Sequence, residues 1–346
     1  MSPADSRAFA PVLAAWRPEH GMPCYLVRWF LTSWCNYDCA YCRQAHRRFG
    51  PGGESKHAFD HHSVEEWCDA FDAHFGRRRL SLAISGGEPM LDSGHMVPLV
   101  NHLSAIPTVE CIRIDTNMSW DPRRFTQMER AKLLFNCSYH PHAASIDAFC
   151  DNIEILLEQG YRVGMVNFVL TRDNIEAFKE AETRLNAMGV VLNANPDFQQ
   201  GGDYSQEQHG LLRGELPQAD YVYKTRLASP YGKKCLFPAV AYQMDQRGAI
   251  NVGCHPDIRG SLFDDELPET FAGPGRCPQK SCGCLDMYSF LGEVNRNTTV
   301  DPSAVAMGSP TTVFTSIMSR MLSRVVVIKP SIGCLSIWQS SCGCCR

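Results

Sequence analysis

Three cysteines, Cys35, Cys39 and Cys42, fall within eight residues of the stretch "SWCNYDCAYCRQ". Thiolates are soft ligands that suit zinc and iron–sulfur clusters. Structural zinc closes a four-coordinate shell with protein donors, but the C-x3-C-x2-C spacing offers only three. The nearest further candidate, His46, belongs to a basic loop. A four-iron cluster held by three thiolates keeps one iron without a protein ligand, and an open coordination position is a reactive one. The spacing therefore points to a cluster whose fourth position is reserved for a substrate or cosubstrate.

A second group, Cys235, Cys254, Cys277, Cys282 and Cys284, lies within fifty residues near the C-terminus. Its first part reads as a hairpin turning at Asp245-Gln246-Arg247-Gly248, which brings Cys235 and Cys254 together so that they can share a metal. The C-x4-C-x-C spacing of the remainder leaves the ligand set open, and a zinc knuckle is the alternative. Cys334, Cys342, Cys344 and Cys345 include adjacent thiols and a C-x-C pair, poor geometry for one cube, so the tail is read as loosely ordered.

The elements that must position these residues follow from the pattern of the chain. Its 346 residues are 44% hydrophobic and 20% charged, with 17 cysteines and a formal charge of −4. The odd cysteine count excludes complete intramolecular pairing, and no stretch reads as a signal peptide or membrane span, so metal ligation in a reducing, cytoplasmic setting is expected. The charge gives no reason to expect nucleic acid or a membrane as partner. Apolar runs at 24–33, 80–85, 109–115, 133–140, 162–170 and 190–198 read as strands. Amphipathic stretches at 63–75, 93–105, 122–131, 145–159 and 174–188 read as helices, the first opened by a Ser63-x-x-Glu66 capping box. This alternation argues for parallel βαβ connections, two units short of a closed eight-unit barrel. The expected class is α/β: a partial (β/α)6 TIM-like barrel with a small cysteine-rich C-terminal iron–sulfur domain. The expected limits are 1–24 for an N-terminal extension, 25–210 for the barrel, 230–295 for the second domain and 296–346 for the tail.

Ligands of parallel α/β folds collect at the carboxyl ends of the strands. The cysteine triplet, the turn Gly86-Gly87-Glu88-Pro89, Thr116-Asn117, Tyr139-His140 and Asn195 to Gln199 all fall at such ends. The triplet, with Tyr41 before its third cysteine, resembles the signature of radical S-adenosylmethionine enzymes, and Gly86-Gly87-Glu88-Pro89 resembles their second motif. The resemblance spans about residues 25–200. It implies S-adenosylmethionine and a [4Fe–4S] cluster on Cys35, Cys39 and Cys42, with the cosubstrate's amino and carboxylate groups on the unique iron. It also implies cosubstrate contacts from Tyr41, Gly86, Gly87, Glu88 and Pro89, with Glu88 receiving the ammonium. Asn117, Ser138 with Asn136, and Asn167 with Arg172 lie where such enzymes contact ribose and carboxylate. Tyr139 and His140 are candidate catalytic residues at the mouth, while the His61-His62 pair is expected to face solvent.

The later cysteines resemble the auxiliary-cluster domains of this superfamily called SPASM and, in short form, twitch. That likeness implies a second [4Fe–4S] cluster on Cys235, Cys254 and two of Cys277, Cys282 and Cys284. About 24 residues precede the first strand, too few for the peptide-binding domain of peptide-modifying members. The expected substrate is therefore a small sugar-, aminocyclitol- or nucleoside-like intermediate of an antibiotic pathway, undergoing oxidation, epimerisation or decarboxylation. A reductant such as flavodoxin or ferredoxin is the expected partner. A maturase acting on a peptide or protein, and a non-catalytic metal scaffold, stand as alternatives.

Overall fold

Alternating short apolar runs and amphipathic stretches produce one sheet covered by helices. The computed structural model describes residues 25–42, 57–197, 203–215, 218–235, 237–273 and 275–280, all within the compact unit spanning 1–310. Six strands form the barrel: β1 (Tyr25–Thr32), β2 (Leu80–Gly86), β3 (Val109–Thr116), β4 (Leu133–Tyr139), β5 (Arg162–Leu170) and β6 (Leu192–Pro196). They pair in sequence order, and every neighbour is parallel. Between them run α1 (Val64–Phe75), α2 (Ser93–Ala105), α3 (Ile146–Glu158) and α4 (Ile175–Ala187). Among the described residues the sheet does not close, so the architecture is a partial TIM-like barrel.

Local chemistry explains the elements. Ser63 Oγ accepts the Glu66 N–H at 3.2 Å while Glu66 Oε2 accepts the Ser63 N–H at 2.7 Å, a reciprocal cap that starts α1. Val64, Trp67, Cys68, Phe71 and Phe75 form its buried stripe. That stripe packs on β1, where the Trp29 ring centroid lies 4.5 Å from that of Trp67 and 5.5 Å from that of Phe71. His62, expected to face solvent, instead stacks on Phe263 at 3.7 Å, whereas His61 is exposed.

The helix expected over 122–131 is only a 3-10 turn, Pro122–Phe125. The Arg130 and Ala131 N–H groups donate to Glu129 Oε1 at 2.8 and 2.9 Å instead of to backbone carbonyls, and the Tyr161 hydroxyl lies 2.5 and 3.2 Å from the carbonyl oxygens of Phe125 and Met128. Beyond β6 the chain forms α5 (Gln206–Glu215) and α6 (Gln218–Lys224), where the reading of the sequence placed no helix. A two-residue strand β7 (Lys234–Cys235) and a short helix α7 (Phe237–Val240) then lead into a hairpin, β8 (Ala241–Met244) and β9 (Ala249–Val252). β10 (Arg259–Ser261) extends it, and β11 (Gly275–Arg276) pairs with β7. The hairpin turns at Asp245–Gly248, and β8 docks parallel to β1, giving the sheet order β10-β9-β8-β1-β2-β3-β4-β5-β6.

Candidate active site

Residues at the carboxyl end of β1 and at the β2 turn are stitched together by backbone bonds. The Gly87 N–H donates to Thr32 O at 2.7 Å and the Glu88 N–H to Trp34 O at 2.8 Å. A Cβ on Gly87 would stand 1.8 Å from Trp34 O and 2.9 Å from Cys35 Cβ, so glycine alone permits this approach. Gly87→Ala is accordingly expected to push the cysteine loop off the β2 turn at a cost of about 1–3 kcal/mol, the range for overpacking. Chemical denaturation together with iron content after reconstitution reads the effect. Wild-type values for both would sever the link between the two loops.

Cys39 is buried, and Cys35 and Cys42 are half-buried. The Cys42 N–H donates to Cys39 O at 2.9 Å, which folds the loop tightly. Cys35 Sγ receives the Tyr37 N–H at 3.4 Å and Asn117 Nδ2 at 3.8 Å, while Asn117 Nδ2 also donates to Asn36 Oδ1 at 3.0 Å. Among the described residues, no three His, Cys, Asp or Glu side chains converge as ligands of one ion would. Cluster thiolates bind different iron atoms and need not converge on one point. Three soft donors on a single loop, with N–H groups directed at one sulfur, fit a [4Fe–4S] cluster.

Glu88 is 1% exposed, yet both of its oxygens are satisfied. Oε1 accepts from Thr116 Oγ1 at 2.7 Å and from the Met90 N–H at 3.1 Å, and Oε2 accepts from the Asn117 N–H at 2.5 Å. Burial pushes its carboxyl up to about 7 against these three donors, which favour the anion. Glu88 therefore welds the β2 turn to the end of β3 and fixes the backbone of Asn117. Pro89 opens a 3-10 turn, Pro89–Leu91, for which Glu88 is the cap.

Strand alternation sorts the remaining candidates. Tyr139, expected at the mouth, instead packs its ring against Phe149 of α3 and Phe168 of β5, at 5.1 and 6.0 Å, and is 5% exposed. Adjacent strand-end residues face opposite ways, so His140 takes the mouth. Its Nδ1 lies 2.7 Å from the Tyr41 hydroxyl and 3.7 Å from Cys39 Sγ. Burial, then the neighbouring His142, lowers the His140 pKa to about 4, so the ring is neutral at pH 7. Burial, then the charge of Cys39, raises that of Tyr41, which stays a phenol able to donate. Arg172 forms an exposed ion pair with Asp203 rather than entering the mouth.

Phe135, Tyr139 and Phe168 face the helices, so Asn136, Ser138 and Asn167 face the lumen. Asn136 Nδ2 donates to Asp115 Oδ1 at 3.0 Å. Ser138 sits opposite Asn167, and Asn167 opposite Asn193. Asn167 Oδ1 accepts from Asn193 Nδ2 at 3.1 Å and from Asn195 Nδ2 at 3.0 Å. A polar ladder thus runs across β3–β6 where a closed barrel would carry branched apolar layers. Asn195 stands at the strand end where the reading of the sequence put it, whereas Asn193 and Lys224 escaped that reading. The alternating asparagines of "LNANP" are the signal that could have shown Asn193, and Lys224 has none.

In the later group, Cys235 and Cys254 both pack on the apolar cluster of Leu26, Ala83, Phe237, Val240 and Ala241. The Cys277 N–H donates to Lys233 O at 2.8 Å, and Gln279 Nε2 reaches Cys254 O at 3.1 Å. Three of the five cysteines are therefore carried by mutually bonded segments. Cys282, Cys284 and the tail cysteines lie outside the described residues.

No family model matches the chain. It is 22% identical over 265 residues to GTP 3',8-cyclase of Pasteurella multocida (strain Pm70), covering 66% of this chain and 77% of that protein. It is 27% identical over 188 residues to AdoMet-dependent heme synthase of Nitratidesulfovibrio vulgaris, covering 50% of this chain. The chain spans 48%, about half, of this second relative's length. Among solved structures it is similar to BtrN in complex with AdoMet and 2-DOIA, at 10% identity and a TM-score of 0.29, over 86% of this chain and 87% of that one. Selenomethionine BtrN in an open conformation matches at 13% identity and a TM-score of 0.31, over 69% and 75% of the two chains.

Proposed function

We propose, on its likeness to GTP 3',8-cyclase and AdoMet-dependent heme synthase, that this chain is a radical S-adenosylmethionine enzyme that abstracts hydrogen from a small sugar-, aminocyclitol- or nucleoside-like molecule. Its cofactors are S-adenosylmethionine and a [4Fe–4S] cluster, which Cys35, Cys39 and Cys42 would hold. Bound there, the cluster would supply the electron for reductive cleavage of the cosubstrate and so the radical chemistry that removes a substrate hydrogen atom. The carrying observation for the substrate class is the polar lumen face of β3–β6, where Asp115 with Asn136 and Asn193 with Asn195 offer carboxylate and amide partners to hydroxyl groups beside the Ser138–Asn167 pair.

The chain's own residues do the positioning. Gly86, Gly87 and Pro89 shape the β2 turn, and Glu88 and Asn117 lock it to β3 beside Cys35. Ser138 and Asn167 line the cosubstrate's path, and the Tyr41–His140 pair closes the mouth next to Cys39. Residues 25–210 act as the catalytic barrel, between the 1–24 extension and residues 230–295, with 296–346 as a tail. In 230–295, Cys235, Cys254 and two of Cys277, Cys282 and Cys284 hold an auxiliary [4Fe–4S] cluster of SPASM or twitch type. Flavodoxin or ferredoxin in the cytoplasm supplies electrons. No helix among the described residues is long and apolar enough to cross a membrane.

The reduced, anaerobically reconstituted enzyme is expected to move deuterium from labelled polyhydroxylated substrates into 5′-deoxyadenosine. Turnover in deuterium oxide separates the outcomes. Solvent label at the attacked carbon marks epimerisation, an unlabelled oxidised product marks oxidation, and released carbon dioxide marks decarboxylation. Transfer only from a ribosomally made peptide overturns the substrate class, and no 5′-deoxyadenosine under any condition overturns the chemistry.

A further inference from the structure

Lys224, the last residue of α6, is 2% exposed and reaches the polar ladder, with its Nζ 3.1 Å from Asn195 Oδ1. An ammonium only donates, whereas a carboxamide offers an acceptor at one end and a donor at the other. Lys224 is therefore the member of the chain of bonds whose direction cannot be reversed. It requires Asn195 to present Oδ1, which turns Asn195 Nδ2 toward Asn167. Asn167 must then present Oδ1, and it accepts there from both Asn195 at 3.0 Å and Asn193 at 3.1 Å. The Asn167 amino group is left aimed away from both neighbours, on the lumen face opposite the Phe168 ring. Without the lysine, each amide could turn over, and the lumen would meet donors and acceptors indifferently.

We propose that Lys224 is a positioning residue that acts through Asn195 to hold Asn167 with its amide N–H groups turned into the lumen, where they receive an acceptor oxygen of the cosubstrate, from its ribose or carboxylate. This rests on the reading that S-adenosylmethionine occupies the lumen, and it assigns to Lys224 a role outside direct contact with that ligand.

The test is S-adenosylmethionine binding by calorimetry to reconstituted protein whose cluster content is checked by absorbance. Lys224→Met is expected to weaken binding about tenfold, as is Asn167→Ala, the size expected for one hydrogen bond to a charged or strongly polar group. The double variant is expected to bind no worse than Asn167→Ala alone, because one residue works through the other. A purely structural lysine would instead give losses that multiply. Asn195→Leu, of similar shape, removes the middle link and should reproduce the tenfold loss even where Lys224→Met does not fold. Wild-type affinity in both Lys224→Met and Asn195→Leu, or multiplying losses in the double variant, overturns the proposal. A wild-type protein that holds its cluster yet fails to bind S-adenosylmethionine overturns the family-based reading itself, and is told apart because no substitution is needed to see it.

Discussion

Alanine in place of Cys35, Cys39 and Cys42 together is expected to abolish reductive cleavage of S-adenosylmethionine and to remove one of about two four-iron clusters. Removing three soft donors from one loop leaves no thiolate among the described residues around Asn117, Tyr41 and His140, and cubane clusters need thiolates. Iron analysis and electron paramagnetic resonance of the reduced protein check both parts. The triple variant should keep the signal of the auxiliary cluster alone. Iron near four per wild-type chain after complete reconstitution would remove the auxiliary cluster from the account, and cleavage by the triple variant would displace the triplet from its role.

Glu88→Gln should weaken S-adenosylmethionine binding by about ten- to a hundredfold and destabilise the fold by about 1–3 kcal/mol. Each carboxylate oxygen accepts a backbone N–H, from Met90 or from Asn117. Whichever position the new amide nitrogen takes, one buried N–H therefore loses its acceptor. The pH dependence carries a sign of its own. Burial raises the native carboxyl to about 7 from an ordinary 4.5, so the native state holds the proton to higher pH than the unfolded chain does. The contribution of Glu88 to stability accordingly rises as pH falls from about 7 to about 4.5. Above that window the buried charge costs roughly 3 kcal/mol. Urea denaturation of wild type and variant across pH 4–8 isolates the effect as their difference. A difference that does not change with pH would mean that the three donors cancel the burial.

Much of this was legible before any coordinates, and the failures have physical causes. Strand β5 and the buried stripe of α1 were readable because alternation and the 3.6-residue period are local marks left by burial. The association of the cysteine loop with the Gly86–Pro89 turn was readable because both follow strands that lie side by side. The stretch 122–131 misled because the Arg130 and Ala131 N–H groups turn to Glu129 Oε1, and Tyr161, distant in sequence, docks on the carbonyls of Phe125 and Met128. Tyr139 and His140 could not be told apart without the end of β4, since one residue of register exchanges their faces. Lys224 was invisible because an isolated lysine at a helix end has the sequence signature of a solvated one. Only tertiary packing buries it against Asn195.

The docking of β8 on β1 bears on how the molecule comes to exist during synthesis. Leu26 pairs with Ala241, more than two hundred residues later, although β1 immediately precedes the cysteine loop. A chain leaving the ribosome can assemble β1–β6 in order, but among the described residues the outer edge of β1 gains its strand partner only when the hairpin emerges. Open edges invite pairing with other chains, and contacts this distant in sequence form slowly. The cysteine loop thus hangs from a strand whose second neighbour arrives late in synthesis.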